Sequence, residues 1–182
     1  NAESLAGWTV NTSGAEGSAT YASVERYFGN YSFKLSSTAS SSSASLTTNV
    51  TIPTAGTYTL SAYVKVESLS TSSGGAYLSL AGTAGEKLQK AGNTAVQDGW
   101  RRISVTKTLS AGTSSVALVL EGATGTVYFD CIQLEKYDVL SDFNLIQNGS
   151  IRGTTNWYGT FTAVASEASR GHVGAITGTP AE

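Results

Sequence analysis

Apolar and polar residues alternate at a period of two in one segment after another of this chain, and Gly, Pro, Ser and Asn close each segment off. That period places successive side chains on opposite faces, which a strand does and a helix does not. In Thr57–Val66, Tyr58, Leu60, Ala62 and Val64 form one face, and Thr59, Ser61, Tyr63 and Lys65 the other. Further strands are predicted at Ala19–Glu25, Tyr31–Ser36, Ala44–Thr51, Ala76–Leu80, Trp100–Leu109 and Ser115–Glu121. The last is apolar on both faces and is expected to be central. Residues 1–17 read as a polar opening loop carrying Trp8, and Ser37–Ser43 and Ser68–Gly75 as flexible connections. Only Ala84–Thr94 has helix-tolerant composition, and it is short and flanked by glycine. Short strands joined by turns predict an all-β sandwich.

The stretch Thr124–Lys136 (TGTVYFDCIQLEK) adds a chemical constraint. Val127, Phe129 and Cys131 alternate with Tyr128, Asp130 and Ile132, so an acid stands inside an apolar strand. A lone buried carboxylate costs several kcal/mol unless a cation or hydrogen-bond donors compensate it. Asp130 therefore requires a partner: a metal ion, backbone amides or Lys34.

Charge and motifs exclude several functions. Eleven basic against thirteen acidic residues leave a net charge of −2, without the basic excess that nucleic acid demands. No apolar run approaches the roughly 20 residues that cross a bilayer as a helix, so no membrane insertion is expected. No signal peptide is present, so a secreted origin requires its removal. The single cysteine, Cys131, forms no internal disulfide and reads as a small buried hydrophobe. There is no nucleophile elbow, zinc-protease, paired-cysteine or phosphate-loop pattern, and the one histidine, His172, reads as a surface residue. No enzyme is expected.

Four stretches, in order, resemble the jelly-roll carbohydrate-binding modules of families four and nine. They are NAESLAGW (Asn1–Trp8), GNYSFKLSS (Gly29–Ser37), GTYTLSAYVKV (Gly56–Val66) with GWRRISVTKTL (Gly99–Leu109), and the FD and QLE of the last strand. The resemblance implies a sandwich of two antiparallel sheets over residues 1–140. It also implies a non-catalytic module that attaches a larger secreted or cell-surface bacterial protein to a polysaccharide or oligosaccharide. Such modules occur in glycosidases, surface-repeat proteins and phage tail proteins. A structural calcium ion is implied too, held by Glu3 and Asp130 with main-chain carbonyls from Gly29 and Asn30 and with Ser32 as a further donor. Calcium takes six to eight oxygens, which that set can supply with water. In the resemblance Trp100 stands where a residue caps the sandwich.

A sugar face needs exposed rings to stack on and planar polar groups to hydrogen-bond hydroxyls. Tyr63 and Lys65 share the non-core face of one strand, Tyr77 that of another, and Arg102, Ser104 and Thr106 that of a third. Tyr128 and Gln133 add to them from the last strand, and Trp8 is either a loop platform or a lid over the core. The competing reading is a structural spacer or adhesion repeat whose equivalent face is filled by Ser and Thr.

The chain then starts again. Asp142–Phe161 has the shape of the opening segment, Trp157 aligning with Trp8, and Ser166–Ile176 resembles Ser23–Phe33. Residues 141–182 are expected to be a linker and the truncated start of a second module. In that module Arg152 replaces the glutamate of the calcium pair. Such a fragment has to pack on the first domain or on a neighbouring chain.

Overall fold

The computed structural model describes residues 5–14, 17–88, 99–138 and 140, and the backbone of two strands beyond them. The chain divides into two units, Asn1–Leu140 and Ser141–Glu182. The first carries β1 (Thr9–Ser13), β2 (Gly17–Ala22), β3 (Ser32–Ser37), β4 (Ser43–Ile52) and β5 (Gly56–Leu80). It continues with β6 (Thr83–Ala84), β7 (Trp100–Leu109) and β8 (Gly112–Lys136). All described elements are strands, and every pairing is antiparallel.

Two long strands build both layers of the sandwich. The first half of β8 pairs with β4 (Leu118↔Leu46) and with the second half of β5 (Leu118↔Leu78). Adding β1 on β4 and β6 on β5 completes sheet one. The second half of β8 pairs with β3 (Phe129↔Phe33) and with the first half of β5 (Phe129↔Val64). Adding β2 on β3 and β7 on β5 completes sheet two. The two long strands pass from one sheet to the other at a corner where the register jumps between Thr71 and Gly75. A Cβ on Gly74 would lie 2.0 Å from the Glu121 carbonyl oxygen, and Gly122 opposite has φ +59°. Only glycine lets two backbones approach so closely there.

The inward faces of both sheets meet in one core. Leu46, Leu78, Leu118 and Leu120 come from sheet one, and Phe33, Leu60, Val64, Ile103 and Phe129 from sheet two. Each is at most 4% exposed, and burying a side chain of this size contributes about 1.5–3 kcal/mol.

Three sequence expectations change. Ser68–Gly75 is strand rather than loop: Ser68, Leu69 and Ser70 pair with Thr126, Gly125 and Thr124, joining two predicted strands into β5. The same pairing joins Ser115–Glu121 to the last strand as β8. The opening loop contains β1, wholly exposed and held by backbone pairing to β4.

The second unit contributes one antiparallel pair, β9 (Phe161–Val164) with β10 (Val173–Ile176), in the register Val164↔Val173. Arg152, Trp157 and His172 lie outside the described residues.

Candidate functional site

Strand register assembles the outer face of sheet two. On β5 and β7, Lys65 stands opposite Trp100, Tyr63 opposite Arg102, Ser61 opposite Ser104 and Thr59 opposite Thr106. On the other side of β5, Lys65 meets Tyr128, Tyr63 meets Asp130 and Ser61 meets Gln133. The offset between the last two pairs reflects a bulge at Cys131, whose φ is +50°. It turns Gln133 and Glu135 onto this face and leaves Ile132 and Leu134 packed against the core.

Arg102 is the polar centre. Its guanidinium donates to Ser61 Oγ at 3.0 Å and to Gln133 Oε1 at 2.9 Å, lies 3.8 Å from Glu135, and sits 5.8 Å from the Tyr63 ring centroid. A planar donor fixed in this way is pre-organised for hydroxyl recognition.

The connection between β2 and β3, residues 23–31, lies across the same face. Tyr27 stacks on Tyr63 with ring centroids 3.8 Å apart and 11° between planes, and meets Trp100 edge-on at 5.9 Å. Trp100, expected to cap the core, therefore faces outward. The Tyr63 hydroxyl and burial hold the Tyr27 phenol above its ordinary pKa. The outer side of the stack stays open, for Tyr27 is 43% exposed and Phe28 39%. Lys65 Nζ pairs with Glu25 at 2.6 Å, tying the loop to the sheet.

Asp130 lies beneath this loop, fully buried. Its Oδ2 accepts the main-chain N–H of Tyr27 at 2.9 Å and of Phe28 at 3.0 Å, and its Oδ1 accepts that of Cys131 at 2.7 Å. Three amide dipoles thus compensate the carboxylate. The Cys131 thiol also hydrogen-bonds this carboxylate, so a calcium ion would have to displace one of its four donors. Ser32 is fully buried, its hydroxyl donating to the Glu25 carbonyl, while Gly29 and Asn30 are exposed in the loop. Glu3 lies outside the described residues, and no three His, Cys, Asp or Glu side chains cluster among the described ones.

The expected binding residues separate. Tyr63, Lys65 and Arg102 stand together. Tyr128 shares their face but is 1% exposed, its hydroxyl donating to Glu67 at 3.2 Å, and burial with that carboxylate pushes its pKa to about 12. Beyond it opens a cleft of about 600 Å³ lined by Ser36, Thr38, Glu67, Ser68, Ser70 and Thr124. Tyr77 is not part of the face. It lies past the corner on sheet one, 9% exposed, with Lys87 Nζ 4.9 Å from its ring and the Glu121 carboxylate beside its hydroxyl. Trp8 is also elsewhere: it packs edge-on against Phe33 at 5.2 Å, over a cavity of about 230 Å³ at the end of the core. Of its two readings, the structure has the lid.

Glu25, Tyr27 and Phe28 were not legible as part of this face. The available signal is two adjacent aromatics before Gly29-Asn30, large rings in a segment too irregular to bury them.

The sequence profile of the carbohydrate binding domain family 4/9 matches residues 1–126. No curated protein matches the chain. Among solved structures, the xylan-binding domain CBM22-1 of Paenibacillus barcinonensis Xyn10C superposes with a TM-score of 0.51 at 13% identity, over 75% of this chain and 90% of that one. The CBM22-1–GH10 part of Clostridium thermocellum xylanase 10B, solved with xylohexaose, gives 0.51 at 15% identity, over 81% of this chain and 30% of that one. The enzymatically active domain of bacteriophage CBA120 tailspike protein 4 gives 0.53 at 14% identity, over 74% and 20%. This chain thus spans a fifth of the tailspike chain and less than a third of the xylanase chain. At such identities the likeness is one of fold.

Proposed function

The chain belongs to the carbohydrate binding domain family, and from that premise we propose that the outer face of sheet two binds a glycan without acting on it. The observation that carries this reading is the Tyr27–Tyr63–Trp100 cluster beside the Arg102–Ser61–Gln133 network. An open ring offers its face to the C–H surface of a sugar, and the fixed guanidinium and amide offer hydrogen bonds to its hydroxyls. Lys65 borders the site. The module targets a larger secreted or cell-surface protein to its polysaccharide, in the extracellular space. Glycan-array and affinity-gel screening of the full chain, with xylan and xylohexaose among the probes, tests this. Retention on at least one polysaccharide is the expected result.

A second reading, a spacer or adhesion repeat with no glycan site, is favoured by one observation: Tyr27 already occupies the face of Tyr63. Failure to bind any glycan in that screen selects it.

Two further parts are separable. A structural calcium ion would use Asp130 together with Glu3, main-chain carbonyls from Gly29 and Asn30, and Ser32 as a further donor. Residues 141–182 open a second module, in which the antiparallel pair β9–β10 stands where β2–β3 stands in the first. Its packing on the first domain or on a neighbouring chain belongs to the same proposal.

A further inference from the structure

We propose that Asp130 is a positioning residue for glycan binding: it holds the backbone of Tyr27 and Phe28 so that the Tyr27 ring lies flat on Tyr63 with its outer face presented. This rests on the proposed glycan site and assigns that site a buried determinant which does not touch the glycan.

Residues 23–31 carry an exposed apolar series, with Val24 80%, Tyr27 43% and Phe28 39% exposed. A segment with so much apolar surface in water has little burial to order it. Its order comes from polar ties instead. Lys65 holds the Glu25 side chain, the Ser32 hydroxyl holds the Glu25 carbonyl, and Asp130 Oδ2 takes two successive amides at Tyr27 and Phe28. The Lys65–Glu25 pair is partly exposed, and such pairs hold weakly. The Asp130 contacts are charge-assisted and made to a fully buried carboxylate, which makes them the strong tie. They act on the backbone of the residue whose ring makes the stack. A ring fixed before binding loses little conformational freedom on meeting a ligand, whereas a ring on a free loop has to be ordered first.

The carboxylate has a strict shape for this work. Oδ2 serves Tyr27 and Phe28 while Oδ1 serves Cys131. Asparagine can keep its oxygen toward the loop and give up the Cys131 contact, while alanine loses all three. Asp130→Asn is therefore the conservative replacement and Asp130→Ala the disruptive one. Ser32→Ala removes only the tie at the Glu25 carbonyl and leaves the Asp130 contacts in place, so it is the control; where Asp130→Ala does not fold, amide exchange in the parent chain carries the test.

The test uses the full chain and measures three things: amide hydrogen exchange at Tyr27 and Phe28, the near-ultraviolet circular dichroism of the stacked tyrosines, and affinity for xylan or any polysaccharide retained in the screen. In the parent chain the Tyr27 and Phe28 amides should exchange more slowly than the exposed Val24 amide, and Asp130→Ala should lose that protection and the tyrosine signal. Its glycan affinity should fall about tenfold, while Asp130→Asn keeps most of all three. A folded Asp130→Ala protein with unchanged protection and an unchanged tyrosine signal overturns the inference, as does a parent chain whose Tyr27 and Phe28 amides exchange as fast as that of Val24. If protection and signal are lost but the parent protein binds no polysaccharide, the positioning role stands and the glycan reading fails.

Discussion

The rings of Tyr27 and Tyr63 lie parallel, 3.8 Å between centroids, although one is carried by a connecting loop and the other by a strand paired on both sides. Tyr63 supports Tyr27, and Tyr27 faces solvent. The strand residue that the alternation of β5 singles out is thus the lower layer of the platform, and its upper layer comes from residues 23–31.

Replacing Tyr77 separates the two sheets experimentally. It is 9% exposed, under Lys87 and beside Glu121. Tyr77→Ala should lower stability by at least about 2 kcal/mol through lost packing, with glycan affinity of the folded fraction unchanged. Chemical denaturation paired with affinity electrophoresis measures both. Weakened binding at unchanged stability would return Tyr77 to the binding face.

Alkaline pH should destabilise the sandwich through three buried groups. Burial, then Asp130, pushes the Cys131 thiol from 9 to about 12, and burial with neighbouring carboxylates pushes Tyr77 and Tyr128 from 10 to about 12. A raised folded-state pKa contributes stability that is complete below the unfolded value and disappears as pH rises through the folded one. The melting temperature should therefore hold to about pH 9 and fall toward pH 12. Cys131 should resist alkylation at pH 8 in the folded protein and react once it is denatured. Rapid alkylation of the native protein would contradict this.

Chelation tests the calcium proposal. An ion that binds only the folded chain raises stability by RT ln(1 + [L]/Kd), about 2.7 kcal/mol at a hundredfold excess over Kd. Millimolar calcium should raise the melting temperature, EDTA should lower it, and Asp130→Ala should abolish the difference. An unchanged melting temperature in EDTA leaves the three amides and the Cys131 thiol to compensate Asp130 without a metal.

Much of the fold was legible because alternation fixes faces. Tyr58, Leu60, Ala62 and Val64 are core, as their period requires, and Tyr63, Lys65 and Arg102 share the opposite face. Periodicity does not say which sheet a segment joins. Tyr77 therefore read as a neighbour of Tyr63, although β5 crosses a corner between them. The Ser68–Gly75 run resembled a loop because short hydroxyl side chains and glycines suit one. The same small residues let β5 and β8 pass through the corner. The Tyr27 platform was hidden for another reason. It has no period, and its place is set by hydrogen bonds to a carboxylate 103 residues away.

The central claim is that the Tyr27 stack, with Arg102 beside it, is a glycan-binding face, and the most direct measurement is the polysaccharide affinity of Tyr27→Ala against the parent chain. The account predicts a loss of about 1–3 kcal/mol, the cost of truncating an aromatic hot spot, at nearly unchanged melting temperature because the ring is 43% exposed. Full affinity in a folded Tyr27→Ala protein would contradict it.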